Sequence, residues 1–156
     1  MSSPTGPTNT AQEFASRFSS DMLLLDGTSL LLRAIRPDDK ERLAAHFHGL
    51  SAPSVRQRFF GAKSQLTEAE LRQLTELDFQ DHVGVVATHI IDGREELIGV
   101  GRYVRLPPGH DCVSRAEFAL AVEDAWQRRG VGTVLLESLA SLASRFVPFF
   151  QQQSPP

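Results

Sequence analysis

Apolar positions in this 156-residue chain change their period along its length, and the changes mark out its elements. Residues 1–19 are rich in Ser, Thr, Pro and Gly without apolar periodicity, and read as a disordered leader. Two apolar runs in "MLLLDGTSLLLRAI" flank Asp26-Gly27, which predicts a tight hairpin. In "RPDDKERLAAHFHGL", Leu43, Ala44, Phe47 and Leu50 recur at helical spacing, with Pro37 suited to a first turn and Asp38 and Asp39 beside the helix's positive end. "APSVRQRFF" reads as a short second helix whose end, Arg58-Phe59-Phe60, packs two aromatics into the core. In "TEAELRQLTEL", Thr67 and Glu70 form a capping-box pattern ahead of Leu71, Leu74 and Leu77, which predicts a third.

Beyond residue 80 the period shortens to that of strands. Two β-like runs meet at Asp92-Gly93 and predict a second hairpin, halted by Pro107, Pro108 and Gly109. "RAEFALAV" alternates: Phe118, Leu120 and Val122 point one way, while Glu117, Ala119 and Ala121 form an opposite face that is nearly bare apart from one carboxylate. Val131, Val134, Leu135, Leu139 and Leu142 then form the stripe of a last helix. "VPFFQQQSPP" supports no further element. The order β-β-α-α-α-β-β-β-α is an α+β pattern, expected as one domain over residues 20–146 between the leader and an irregular tail at 147–156.

Composition narrows the class. With 41% apolar residues the chain suits one core of ordinary size. A net charge of −3 argues against a main task of neutralising nucleic-acid phosphates. No apolar run approaches membrane-spanning length, the start lacks a signal-peptide pattern, and the single cysteine, Cys112, has no partner for an internal disulfide. A cytoplasmic protein is expected, with no membrane or nucleic-acid partner. His46 and His48 diverge on their helix, and His82, His89 and His110 share no ligand spacing with them, so no metal site is expected.

The chemistry concentrates in "WQRRGVGTVLLESL", where two glycines precede a helix and two arginines precede the glycines. Glycines there let a backbone approach a ligand, and the unpaired N–H groups of the helix start favour an anion. A dinucleotide fingerprint would need glycine at Leu135, and the triphosphate loop would need Gly-Lys-Ser/Thr, which the chain lacks. A bland alternative stays open at this point, since glycines also open helices for packing alone.

Gln127-Arg128-Arg129-Gly130-Val131-Gly132 resembles the Q/R-x-x-G-x-G/A signature of the GNAT superfamily of N-acetyltransferases. "DGTSLLLRAIRPDD", "LSAPSVRQRFF" and "AEFALAVEDAWQRRGVG" are similar to successive segments of its bacterial protein-lysine acetyltransferase branch, over about residues 22–144. The resemblance implies the acyl-CoA N-acyltransferase fold, a mixed, mostly antiparallel sheet flanked by helices. It implies that the loop and helix start, Gln127, Arg128, Arg129, Gly130, Val131, Gly132 and Thr133, take the pyrophosphate of acetyl-CoA, and that the backbone at Ala121, Val122 and Glu123 pairs with pantetheine. It also implies Glu117, in its "AEF" setting, as general base for direct transfer to a primary amine, a protein lysine. Without the resemblance, Glu117 reads first as a solvated strand residue paired with Arg115 or Arg102.

In that family a further strand and helix follow the glycine-led helix, and a tyrosine in the later helix often protonates the leaving thiolate. The chain's only tyrosine is Tyr103, in the second hairpin. The domain is therefore expected to be C-terminally incomplete, with an exposed sheet edge that offers pairing with a second copy. Two functions stay open: an acetyl-CoA-dependent N-acetyltransferase, and a truncated, catalytically weak or inactive relative that acts as an acyl-CoA-binding or protein-interaction module.

Overall fold

The computed structural model describes residues 7–50, 65–107, 109–111 and 115–146. The expected helix at 52–60, Cys112 and the tail from 147 lie outside them. Five antiparallel strands run in sequence order across one sheet: β1 (Ser19–Leu23), β2 (Ser29–Ala34), β3 (His82–Ile91), β4 (Arg94–Leu106) and β5 (Arg115–Val122). Both Asp-Gly signals make hairpins. Gly27 turns with a φ of +91°, and Asp92 and Gly93 take φ values of +52° and +78°, the mirror-image turn that matches strand twist. In the first turn the Asp26 carboxylate also accepts the Thr28 N–H at 2.9 Å.

Helix α1 (Pro7–Ser16) forms where the composition suggests an irregular leader. Tertiary packing explains the difference: Ala11 and Ala15, one turn apart, are buried, the Arg145 guanidinium lies 3.8 Å from the Phe14 ring, and Gln12 donates to the Asp78 carbonyl. Helices α2 (Lys40–His48) and α3 (Glu68–Thr75) follow in sequence, and α4 (Val131–Phe146) is the glycine-led helix. The capping box of α3 forms in both directions, Glu70 N–H to Thr67 Oγ1 and Thr67 N–H to Glu70 Oε1.

Two glycines of β4 let α4 lie close on the sheet. A Cβ at Gly101 would stand 2.8 Å from Leu139 Cδ1, and one at Gly99 would stand 3.1 Å from Val131 Cγ1. On the opposite face Val100 and Arg102 line a small cavity with Leu43 of α2 and Leu74 of α3. The sheet is therefore a middle layer, with α2 and α3 on one side and α4 on the other.

The start of α2 is held by a buried ion cluster. Arg33 of β2 grips Asp39 with two 2.8 Å hydrogen bonds, the two side chains being 5% and 0% exposed, and its Nε donates to Glu95 at 3.1 Å. Asp39 also accepts the Arg36 N–H at 2.8 Å and a bond from Arg42 at 3.0 Å. The expected role of Asp39 beside a helix start is thus joined by one that ties β2, α2 and the second hairpin together.

Candidate functional site

The chain leaves β5 at Val122, passes through a 3₁₀ turn at Asp124–Trp126, and reaches α4 by way of Gln127 to Gly130. Two left-handed residues shape this loop, Arg128 at φ +63° and Gly130 at φ +96°. Glycine meets that requirement without Cβ strain, whereas Arg128 carries some. The first hydrogen bond of α4 runs from the Val134 N–H to the Gly130 carbonyl at 3.1 Å. The N–H groups of Val131, Gly132 and Thr133 therefore precede the ladder, at the positive end of a 16-residue helix. The first turn is uncrowded at Gly132, where a Cβ would meet nothing nearer than Val122 Cγ2 at 3.9 Å. Such an end fits a pyrophosphate.

The two arginines separate in role. Arg128 is exposed at the loop surface. Arg129 turns back instead, its Nε 2.9 Å and Nη2 2.8 Å from Asp26 Oδ2, and Nη2 donating to Thr28 Oγ1 at 2.9 Å. Its guanidinium also stacks 4.1 Å from the Trp126 ring centre, and that buried indole meets His89 edge-on at 5.0 Å. Hydrogen bonds from Thr28 and Arg129 pull the Asp26 carboxyl down to about 2, so the clamp stays ionised through the neutral range. Arg129 thus anchors the glycine loop to the first hairpin. A cleft of about 560 Å³ lies between the two, lined by Leu24, Asp26, Arg128, Gly130 and Thr133 among others. Asp26-Gly27 signalled only a turn in the sequence; its carboxylate's use by the loop had no local signal.

At the end of β5 the three candidate residues face different ways. Glu123 N–H donates to the Ile98 carbonyl at 3.0 Å and Ala121 stands opposite Val100, so by strand alternation the peptide groups of Val122 face the outer edge. Gln127 Nε2 donates to the Val122 carbonyl at 3.0 Å, which ties the first residue of the signature to the strand. Among the described residues, β5 is an edge of the sheet.

Glu117 shares its face of β5 with Ala119 and Ala121, the face that α2 and α3 partly cover. It is exposed rather than enclosed in a groove that excludes water. Arg115 pairs with Asp111 at 2.5 Å. Across the strand pair, burial pulls the Arg102 guanidinium below its usual range while Glu117 acts in the opposite direction, so the carboxylate has a cationic neighbour. Tyr103 lies on the other face, buried against Phe118 with ring centres 5.6 Å apart.

Residues 53–147 match the model of the acetyltransferase (GNAT) family. Acetyltransferase PA5475 of Pseudomonas aeruginosa is 31% identical over 120 residues, which cover 77% of this chain and 62% of that protein. Acetyltransferase Pat of Mycolicibacterium smegmatis is 34% identical over 113 residues, covering 72% of this chain and 32% of that one. The chain thus spans less than two thirds of the length of either relative. Among solved structures, the GNAT domain of S. lividans PAT aligns with a TM-score of 0.69 at 34% identity, over 82% of this chain and 73% of that domain's chain. With its antiparallel sheet, its glycine loop and this match over more than half of its length, the chain belongs to the GNAT family of acetyltransferases.

Proposed function

We propose that the chain transfers an acetyl group from acetyl-CoA to a primary amine, a protein lysine, by direct transfer. The observation that carries this reading is the glycine loop: left-handed Gly130, an uncrowded Gly132 and three N–H groups ahead of the α4 ladder form an anion cradle in a chain of this family. When bound, acetyl-CoA supplies the acyl thioester. The N–H groups of Val131, Gly132 and Thr133 hold its pyrophosphate, Arg128 adds charge at the rim, and the outward N–H of Val122 pairs with the pantetheine arm. Glu117 takes the proton that the lysine ammonium must lose before its nitrogen attacks the thioester carbonyl; the C–S bond breaks as the amide forms, and the second amine proton goes to the departing CoA thiolate. The lysine acceptor rests on the resemblance of residues 22–144 to the protein-lysine branch.

Calorimetric titration with acetyl-CoA tests the cradle. Saturable binding by the parent and its loss in Gly132→Glu are expected, since a glutamate there brings both bulk and negative charge to the phosphate position. Glu117→Gln should keep that affinity and lose turnover on a lysine peptide. A folded parent that binds no acetyl-CoA would overturn the reading.

A further inference from the structure

A buried histidine of α2 reaches the corner from which the glycine loop departs. His46 has a fully buried side chain, and its Nδ1 lies 3.2 Å from Glu123 Oε2. With the carboxylate as acceptor, Nδ1 carries a proton, and the buried Nε2 has no hydrogen-bond partner among the described residues. An apolar side chain would fill that site at lower cost, so among the described residues the bond to Glu123 is what the imidazole contributes.

The position of Glu123 needs explaining as well. Its carboxylate lies over Gly49, where a Cβ would stand 3.0 Å from Cδ and 3.2 and 3.3 Å from the two oxygens. Gly49 closes α2, with its N–H on the carbonyls of Ala45 and His46. A carboxylate at a helix C-terminus meets the negative end of the dipole, and the bond with His46 offsets that cost. On the backbone side, Glu123 N–H is bound to Ile98 O at 3.0 Å, and its carbonyl accepts the Trp126 N–H at 2.8 Å. Glu123 is therefore both the last ladder contact of β5 and the start of the turn that presents the loop.

We propose that His46 is a positioning residue for the acyl-donor site: through Glu123 it fixes the corner between β5 and the glycine loop, so that acetyl-CoA affinity depends on a side chain of α2 buried away from the donor. The proposal rests on the acetyl-CoA reading above for its functional readout, and on the corner's geometry for its structural one.

The test compares the parent with His46→Leu, which removes the donor, and His46→Asn, whose amide N–H replaces Nδ1–H. His46→Leu should raise the acetyl-CoA Kd about fivefold or more, the effect of losing one hydrogen bond to a carboxylate, while kcat and the acceptor KM stay within about twofold. His46→Asn should return the Kd to within about twofold of the parent. Amide exchange at Trp126 and at Val134, whose N–H closes the loop on Gly130, should quicken in the leucine variant and recover in the asparagine one. Glu123→Ala, at a half-exposed position, should reproduce the leucine variant if the latter fails to fold. A lowered Tm with unchanged Kd and unchanged Val134 exchange would make His46 merely structural and overturn the proposal, as would an asparagine variant no better than leucine. If the folded parent binds no acetyl-CoA, the acetyltransferase reading fails, and the Val134 exchange alone decides the positioning role in the same two directions.

Discussion

The two glycines of the loop should respond oppositely to the same substitution. A Cβ at Gly130 would have Leu24 Cδ2 at 4.0 Å as its nearest neighbour, and one at Gly132 would have Val122 Cγ2 at 3.9 Å, so neither alanine is crowded. The difference lies in the backbone: Gly130 has a φ of +96°, whereas Gly132 sits within α4. An alanine held in the left-handed region costs about 1–2 kcal/mol, partly offset by about 0.4–1 kcal/mol from a stiffer unfolded chain, for a net loss of about 0.5–1.5 kcal/mol in Gly130→Ala. In Gly132→Ala the unfolded-chain effect and helix propensity act together, for a gain of about 0.5–1 kcal/mol. The gap of about 1–2.5 kcal/mol corresponds to about 3–8 °C in Tm for a chain of this size. Thermal melts followed by calorimetric titration with acetyl-CoA provide the assay. Gly130→Ala should melt below the parent and bind acetyl-CoA more weakly, because relaxing its φ turns the N–H groups of the cradle. Gly132→Ala should melt at or above the parent and bind within a few-fold of it, as the tolerance of the signature for alanine there implies. A Gly130→Ala variant as stable as Gly132→Ala would refute the backbone argument.

Four further outcomes follow from the same geometry. Asp39→Asn should destabilise by about 3 kcal/mol in urea titrations, because it removes the bidentate carboxylate of buried Arg33 and leaves Glu95 as its remaining charge partner. Burial alone would raise the carboxyls of Asp39 and Glu95, but Arg33 and their other donors outweigh it and hold both below the usual carboxylate range. Carboxylates depressed in the folded state contribute stability fully above their unfolded value near pH 4, so the parent should lose stability as pH falls below about 4, with a shallower loss in Asp39→Asn. Tyr103→Phe should leave turnover unchanged and alter stability by no more than about 1 kcal/mol, since the hydroxyl is buried without a hydrogen-bond partner among the described residues; a large fall in kcat would place that hydroxyl in the reaction. Arg129→Lys should weaken acetyl-CoA binding a few-fold by calorimetry, because a lysine cannot span Asp26 and Thr28 while stacking on Trp126; unchanged affinity would show that the clamp does not hold the loop.

What was legible in the sequence is what short-range chemistry decides. Asp26-Gly27 and Asp92-Gly93 have to turn, Thr67 and Glu70 cap each other within one helical turn, and the alternation of Phe118, Leu120 and Val122 assigns Glu117 its face because a strand repeats every two residues. The glycine loop belongs with these, since its signature is contiguous. The pairings that hold the loop in place are of another kind. Arg129 meets Asp26 across 103 positions, His46 meets Glu123 across 77, and the helix at Pro7–Ser16 is secured by Gln12 reaching Asp78 across 66. Each depends on strand register and helix placement that no local pattern encodes, and each uses a residue type whose ordinary site is the surface. The exposure of Glu117 has the same origin: alternation selects the face, but the reach of α2 and α3 over β5 decides how much of it water sees. On the proposed reading the contiguous signature marks the donor site, and the long-range polar contacts from the first hairpin and from α2 hold it in place. Variants at Asp26 and His46 should accordingly affect acetyl-CoA binding although neither residue lies within the motif.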